Sequence, residues 1–341
     1  MQTPPVWITG VAQTGPVPQD PRSIPEMVLE VVEAAQADAG IDFPDVDAIV
    51  TASVDLYDGL TASNVAVTEV VGAVMKPETR IAGDGLAAAI HAACQIRAGA
   101  YRTVLVVAHG KASMASQRAL GQWTLDPIYV QPLGVDPLIC AGLSARALAD
   151  EDPGAERVWA QLAARRRGVT VDEIMATPLV AAPLREAMCA PDADGACAVV
   201  LSAESSSGAP RLIGIGHDLA PHSLGDRSLT DWDGLGRACD RAYADAGIDD
   251  PARAFDLAEP SCRYPHEEDL FVRAARIDTE VPRSNDGGLF SGAIPAAAGL
   301  TRLAAAARTM RADSTHKRAL AHGTWGPVGQ AHAVAVLEAG A

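Results

Sequence analysis

Ala37-Asp38-Ala39-Gly40-Ile41-Asp42 and Ala244-Asp245-Ala246-Gly247-Ile248-Asp249 are the same six residues, met twice in one chain. A run with helical apolar period precedes each copy, over 28–39 and 235–246. In both, a glycine follows the last turn, where a helix end calls for positive φ. A short strand candidate follows each, at 48–50 and at 254–257. Identical helix ends in equivalent surroundings predict two copies of one supersecondary unit.

A second correspondence extends the repeat. Asp84-Gly85-Leu86 opens a run to residue 98 that is apolar almost all round, and Asp286-Gly287-Gly288-Leu289 precedes a similar one over 293–307. Helices without a polar face are buried between layers, so each half supplies one central helix. Residues 103–108 form a continuous apolar run of strand length, as expected of a strand covered on both faces. The expectation is an α/β protein of two pseudo-twofold related halves with helices inside as well as outside. Between the halves, Pro127, Pro132, Pro137, Pro178 and Pro183 punctuate helical pieces such as 155–167. The predicted organisation is a first half over 1–113 and 191–203, an inserted loop domain over 114–190, and a second half over 210–341. The Ser- and Gly-rich stretch 204–210 is the seam.

Composition excludes several functions. The chain has 341 residues, 48% hydrophobic and 21% charged, which predicts a folded globular protein. No stretch approaches the roughly 18–20 apolar residues of a membrane span. Residues 1–10 carry no basic segment leading into a long apolar run, so no secretory signal is expected and the cytoplasm is the expected compartment. Six scattered cysteines without a Cys-x-x-Cys pair predict neither a metal site nor a disulfide framework. A net charge of −16 argues against nucleic-acid binding, which needs a basic face. The basic run Arg165, Arg166 and Arg167 reads as a solvated helix end rather than a phosphate clamp.

Five further stretches carry a family resemblance, in order along the chain. They are Val6-Trp7-Ile8-Thr9-Gly10-Val11, residues 99–113, Leu143-Ser144-Ala145-Arg146, residues 178–185 and Asp194-Gly195-Ala196-Cys197-Ala198-Val199-Val200. Together they resemble the thiolase superfamily, and within it the sterol-carrier-protein type of thiolase and the lipid-transfer-like steroid side-chain aldolases. The resemblance implies a thiolase fold, a five-layer αβαβα sandwich of two related halves with an inserted loop domain. It also implies an acyl-CoA substrate, pairing as a homodimer or with another thiolase-like subunit, and a small companion carrying an OB-fold and a zinc ribbon.

Against that family, the catalytic loops are rewritten. The position of the nucleophilic cysteine falls on Ala82, which cannot attack a thioester; Cys94 lies about three helical turns further on and reads as buried packing. The family's His-Asp-Cys-Phe stretch falls on Ser261-Cys262-Arg263-Tyr264, so one catalytic histidine is missing. Asn285-Asp286-Gly287-Gly288 matches an Asn-x-x-Gly-Gly loop, yet the Gly-His-Pro that follows in the family is Gly292-Ala293-Ile294 here. The second histidine is missing too. Arg318-Ala319-Leu320-Ala321-His322-Gly323 resembles the fourth loop, where His322 reads as a family feature.

Without a nucleophile, thiolysis through an acyl-enzyme is excluded. Retro-aldol cleavage of a β-hydroxyacyl-CoA needs only a base for the hydroxyl and donors for the departing thioester enolate. The candidate catalytic groups are Tyr264, His266, Asp84 and His322, with Glu267 and Glu268 beside them. Gly83, Gly85, Gly287 and Gly288 are the expected backbone contacts to the CoA thioester, and no cofactor is expected beyond the CoA of the substrate. Each candidate has a plainer alternative. Asp84 can be a helix cap, His322 a hydrogen-bonded structural histidine and Tyr264 a filler for the family's Phe. His266-Glu267-Glu268 can be an exposed acidic helix start. Two functions stay open: a lyase within a heteromeric complex, and a silent thiolase-like subunit kept for assembly or acyl-CoA binding.

Overall fold

The computed structural model describes residues 3–59, 63–284 and 286–340. In chain order the first half runs β1 (Trp7–Val17), α1 (Ile24–Ala39), β2 (Ala48–Ala52), α2 (Asp55–Asp58), β3 (Glu78–Ile81), α3 (Gly85–Arg97) and β4 (Thr103–Lys111). A largely helical segment follows with α4 (Gln117–Trp123), α5 (Pro137–Glu151), α6 (Ala155–Arg167), α7 (Val171–Ala176) and a small hairpin, β5 (Leu179–Ala181) and β6 (Leu184–Arg185). The chain then returns to the first half as β7 (Asp194–Ser202), which inserts between β4 and β1. The second half is β8 (Arg211–Leu219), α8 (Asp233–Ala246), β9 (Leu257–Glu259), α9 (Pro265–Ala275), α10 (Ala298–Ala312), β10 (Arg318–Trp325) and β11 (Ala331–Glu338).

The strand order β3-β2-β4-β7-β1-β8-β11-β10-β9 contains one motif twice. β1 is antiparallel to β7, β7 to β4, and β4 parallel to β2; β8 is antiparallel to β11, β11 to β10, and β10 parallel to β9. A single residue pair, Trp7 with Arg211, joins the two sets, so they are two sheets meeting at a corner. α3 and α10 lie between them, and one continuous core holds inward residues of both sheets, such as Val104, Val106, Ala319 and Ala335, around Leu86, Ile96, Leu300 and Leu303. α1 covers the outer face of the first sheet, α8 and α9 that of the second. Outer helix, sheet, helix pair, sheet and outer helix make the five layers expected.

The repeated hexapeptide explains itself in three dimensions. Gly40 and Gly247 close α1 and α8 at φ 69° and 65°. Asp38 Oδ2 accepts the Val11 N–H at 2.8 Å, and Asp245 Oδ2 accepts the Ile215 N–H at 3.0 Å. Beneath them Gly10 and Gly214 let each helix touch its strand. A Cβ at Gly10 would overlap the Ala35 carbonyl, and one at Gly214 the Ala242 carbonyl. Each repeat therefore locks a helix end onto the opening strand of its own half.

Three sequence expectations need correction. The central run at 293–307 becomes a helix only from Ala298, because Ala293 pairs with Asp192 as an isolated bridge and Ile294 packs into the core. The second strand candidate at 254–257 shifts to Leu257–Glu259, because a 3₁₀ turn over Pro251–Arg253 precedes it and residues 254–256 form the bend that leads into the strand. α3 is not covered on every side: Cys94 is exposed rather than buried, with partly exposed His91 and Gln95 beside it on a stripe turned away from the core.

Candidate active site

Three loop segments and the head of α3 are stitched together at one end of the two halves. The Ala190 N–H donates to the Arg263 carbonyl, tying the segment after the loop domain to the second family loop. Ala293 donates to the Pro191 carbonyl and Ala193 to the Ala293 carbonyl, which adds the third. Ala190, Leu289 and Ala293 pack with Ala298 at the start of α10. One residue further, the Gly299 N–H donates to Asp84 Oδ2 at 2.8 Å.

Asp84 is a strut. Its Oδ1 caps α3 by accepting the Leu86 N–H at 2.8 Å, while Oδ2 takes the second residue of α10, so one carboxylate ties two helix starts. It is buried, and burial raises its carboxyl to about 7 against the pull of those amides. Gly299 and Gly323 leave it room: a Cβ at Gly323 would sit 2.6 Å from Oδ1, and one at Gly299 would overlap it. With both oxygens committed to backbone, Asp84 is not poised as a base.

The expected backbone contacts are committed elsewhere. The Gly83 N–H donates to the Ile81 carbonyl at 3.0 Å and that of Gly85 to the Ala296 carbonyl at 2.7 Å. Gly287 and Gly288 donate to the Ser284 carbonyl and to Asp286 Oδ1. These glycines shape loops and a helix contact, and their amides are not free to hold an oxyanion. Asn285 lies outside the described residues. One donor does lie against this loop: a Cβ at Gly83 would lie 2.9 Å from Trp325 Nε1. Trp325 stacks on His217 at 5.3 Å, and its indole N–H has no acceptor among the described residues.

His322 is on the wrong face. Ala319, Ala321 and Gly323 of β10 face the central helices, so His322 points outward, against Trp232, Phe271 and His332. Its Nε2 lies 3.1 Å from His332 Nδ1, and burial lowers it to about 3. That placement sets it apart from the central helices and the converging loops. His266 is also enclosed, its ring between Trp159 and Tyr264 at 5.8 and 5.9 Å, and burial lowers it to about 3.

His266 and Glu268 do not belong to an exposed acidic helix start, because both are buried. Glu268 is paired with Arg166 at 3.0 Å and Arg283 at 3.5 Å. Arg166 also donates to the Arg283 and Ser284 carbonyls, and Arg167 to those of Ala187 and Cys189. Two of the three arginines read as solvated are thus internal ties; Arg165 is exposed.

What remains is Tyr264 with Glu267 at the head of α9. Glu267 reaches back so that Oε2 accepts the N–H groups of Arg263 at 2.7 Å and Tyr264 at 3.2 Å. Its other oxygen has no partner among the described residues. Burial pushes the Glu267 carboxyl up to about 7, partly offset by those backbone donors and Arg263. Tyr264 is raised by burial. Arg263 pairs with Asp192, Tyr57 feels both charges, and the neighbouring Cys189 thiol is raised by burial to about 11. Cys262 is buried and pushed well above the usual thiol range, so it offers no nucleophile.

Pattern reading missed Glu259 and Arg302. Arg302, buried in α10, donates to Glu259 Oε2 at 3.0 Å and to both oxygens of Asp286 at 2.8 and 3.2 Å. Burial raises Glu259 to about 7; Asp286, exposed but partly desolvated, is held low by Arg302. An arginine inside an otherwise apolar central helix is the signal that would have found this tie.

The five layers, the repeated strand order and the paired central helices define a thiolase fold. No protein-family model and no curated protein matches the sequence. Solved structures match along its whole length. The Ltp2-ChsH2(DUF35) aldolase superposes with a TM-score of 0.80 at 18% identity, covering 99% of this chain and 98% of that one. The human mitochondrial 3-ketoacyl-CoA thiolase gives 0.78 at 14% identity over 100% of both. A monomeric SCP2-thiolase like protein type 1 from Mycobacterium smegmatis gives 0.76 at 18% identity, covering 98% of this chain and 77% of that one. No helix among the described residues is long and apolar enough to cross a membrane.

Proposed function

We propose that this chain acts on CoA thioesters as a retro-aldol lyase, cleaving a β-hydroxyacyl-CoA without a covalent acyl-cysteine and within a heteromeric complex. The observation that carries the reading is Glu267: a carboxyl raised to about 7, with one oxygen uncommitted, beside Tyr264 at the converging loops. A general base works best with a pKa near the operating pH. Glu267 takes the β-hydroxyl proton, the Cα–Cβ bond breaks, and its electrons pass to the thioester as an enolate. The hydroxyl carbon leaves as a ketone or aldehyde, and protonation of the enolate gives the shortened acyl-CoA. Trp325 Nε1, which lies against Gly83, is the donor proposed for the enolate oxygen. A similar fold in a protein described as an aldolase supports the reading, as does the alanine at the nucleophile position.

The proposed companions follow the sequence resemblance: a second thiolase-like subunit and a small OB-fold and zinc-ribbon protein, with a steroid or lipid side chain as substrate. Co-expression with genomic neighbours, followed by assay of the purified complex, tests this. Carbonyl product that disappears with Glu267→Gln supports the proposal, and a folded complex that yields none refutes it.

One observation favours the second reading, a silent subunit. The amides of Gly83 and Gly85 are taken up internally, and the Trp325 indole packs against Gly83, the residue after the Ala82 position. Calorimetry with acyl-CoA separates binding from scaffolding, since a pure scaffold gives no heat.

A further inference from the structure

A cavity of about 210 Å³ opens at the head of α8, on the face of the second sheet turned away from α3 and α10. Its lining includes Arg227, Trp232, Gly234 and His332, with exposed Asp226, Asp231 and Asp233 around the mouth. Arg237 also contributes, but its guanidinium is committed to Asp218 at 2.8 and 3.0 Å.

The interior of this cavity is made of donors. His332 is 1% exposed, and its Nδ1 is occupied by His322 at 3.1 Å. Its Cδ2 lies on the Gly234 side, 3.2 Å from where a Cβ there would sit, so the edge bearing Nε2 faces the first turn of α8. Nε2 has no partner among the described residues. The tautomer follows from the far end of the pair, where His322 Nδ1 is buried with no partner among the described residues. An orphaned N–H is rarer in proteins than an orphaned acceptor. His322 therefore carries its proton on Nε2 and donates it to His332 Nδ1. That leaves the His332 proton on Nε2, directed at the cavity.

Two other features agree. Arg227 donates to the Val328 carbonyl, its Nε is buried without a partner, and no carboxylate pairs with it among the described residues. α8 starts with no side-chain cap, so its first N–H groups lack the partner that Ser23 supplies in α1. An unpaired guanidinium, a buried imidazole N–H and an uncapped helix start all call for an acceptor carrying negative charge. The acidic mouth sets the rest: three carboxylates repel a multiply charged anion and accept hydrogen bonds from a ligand's outer end.

We propose that this cavity binds a small hydroxy- or amino-monocarboxylate. Its carboxylate is held by His332 Nε2, Arg227 and the first amides of α8, and its hydroxyl or ammonium faces the carboxylates at the mouth. The site is separate from the loops around Tyr264 and does not rest on the lyase reading.

Isothermal titration of the full chain with lactate, serine, acetate and inorganic phosphate tests it. Lactate and serine are expected to bind with dissociation constants near or below about 1 mM, a range calorimetry reads directly. Acetate, without the outer donor, binds about tenfold more weakly, and phosphate more weakly again; each missing hydrogen bond accounts for roughly a factor of ten. His332→Phe and Arg227→Met each weaken lactate at least tenfold by the same reasoning, about one charge-assisted or neutral bond apiece. The proposal is overturned if folded wild-type protein gives no heat with any of the four, if both variants bind lactate as wild type does, or if phosphate outcompetes lactate. Should one variant fail to fold by circular dichroism, the other and the wild-type ranking still decide.

Discussion

Arg311, in the last turn of α10, donates to Asp38 at 2.7 Å, the same carboxylate oxygen that takes the Val11 N–H of β1. The partner half does the converse: Arg97, at the end of α3, bonds Asp245, which takes the Ile215 N–H. Each arginine also reaches a carbonyl of the opposite half's opening strand, Ile8 for Arg311 and Leu212 for Arg97. Each central helix is thus clasped to the repeat motif of the other half. Truncation of Asp38 to Ala strands the Val11 amide and is expected to cost about 1–3 kcal/mol, whereas Arg311→Met, which breaks the partly exposed pair and the bond to the Ile8 carbonyl, costs about 0.5–2 kcal/mol. Urea unfolding of the two variants and their double mutant reads both numbers and the coupling between them.

The Asp84 strut predicts an unusual glycine dependence. Gly299→Ala places a methyl where Asp84 Oδ1 already sits, and overpacking of this kind costs about 1–3 kcal/mol. Asp84→Asn keeps the volume but turns an amide N–H toward a backbone N–H, at a cost of about 1–2 kcal/mol expected for a lost cap. Thermal unfolding of each variant checks the order. A loss no larger than that of a surface substitution contradicts the strut.

Glu267 makes a pH prediction of definite sign. Its folded pKa of about 7 lies above the roughly 4.3 of an unfolded glutamate. Its contribution to stability is therefore best below about pH 4 and is lost as the pH rises toward 7, because the unfolded chain ionises first. Glu267→Gln removes that loss, so its stability relative to wild type improves from pH 5 to pH 8. Urea midpoints at those two values measure the change. In the lyase reading the same group must be ionised to act, so the rate rises through about pH 7, and Glu267→Gln lowers it by about 10²–10⁴ and flattens the profile.

Much of this architecture was legible in the sequence because it is written in short-range patterns. The hexapeptide announced both helix ends, and the apolar runs announced α3 and α10. The site was less legible for physical reasons. Helical periodicity identifies an apolar run but not the layer beside it, which is why the exposed stripe at Cys94 was misread. A histidine in a strand has equal chances of facing either layer until the register is known, and His322 falls on the outer face. The burial of Glu268 depends on Arg166, far away in the chain, and on Arg283 beyond the end of α9, so the cluster at the head of α9 looks solvated to any local reading.

Restoring the nucleophile should not restore a thiolase. In an Ala82→Cys variant the thiol has neither histidine of the family, since those positions are Ser261 and Ala293, and Trp325 lies against the adjacent Gly83. Activation of a thiol needs a neighbouring base or cation. No CoA-dependent cleavage of a β-ketoacyl-CoA is expected from that variant, measured by release of the shorter acyl-CoA.

The most direct test of the central claim is mass spectrometry of the purified complex incubated with a β-hydroxyacyl-CoA, following products and intact protein together. The account predicts equal amounts of carbonyl compound and shortened acyl-CoA, with every protein mass unchanged. An acyl adduct on this chain, or no carbonyl product from a folded complex, contradicts it.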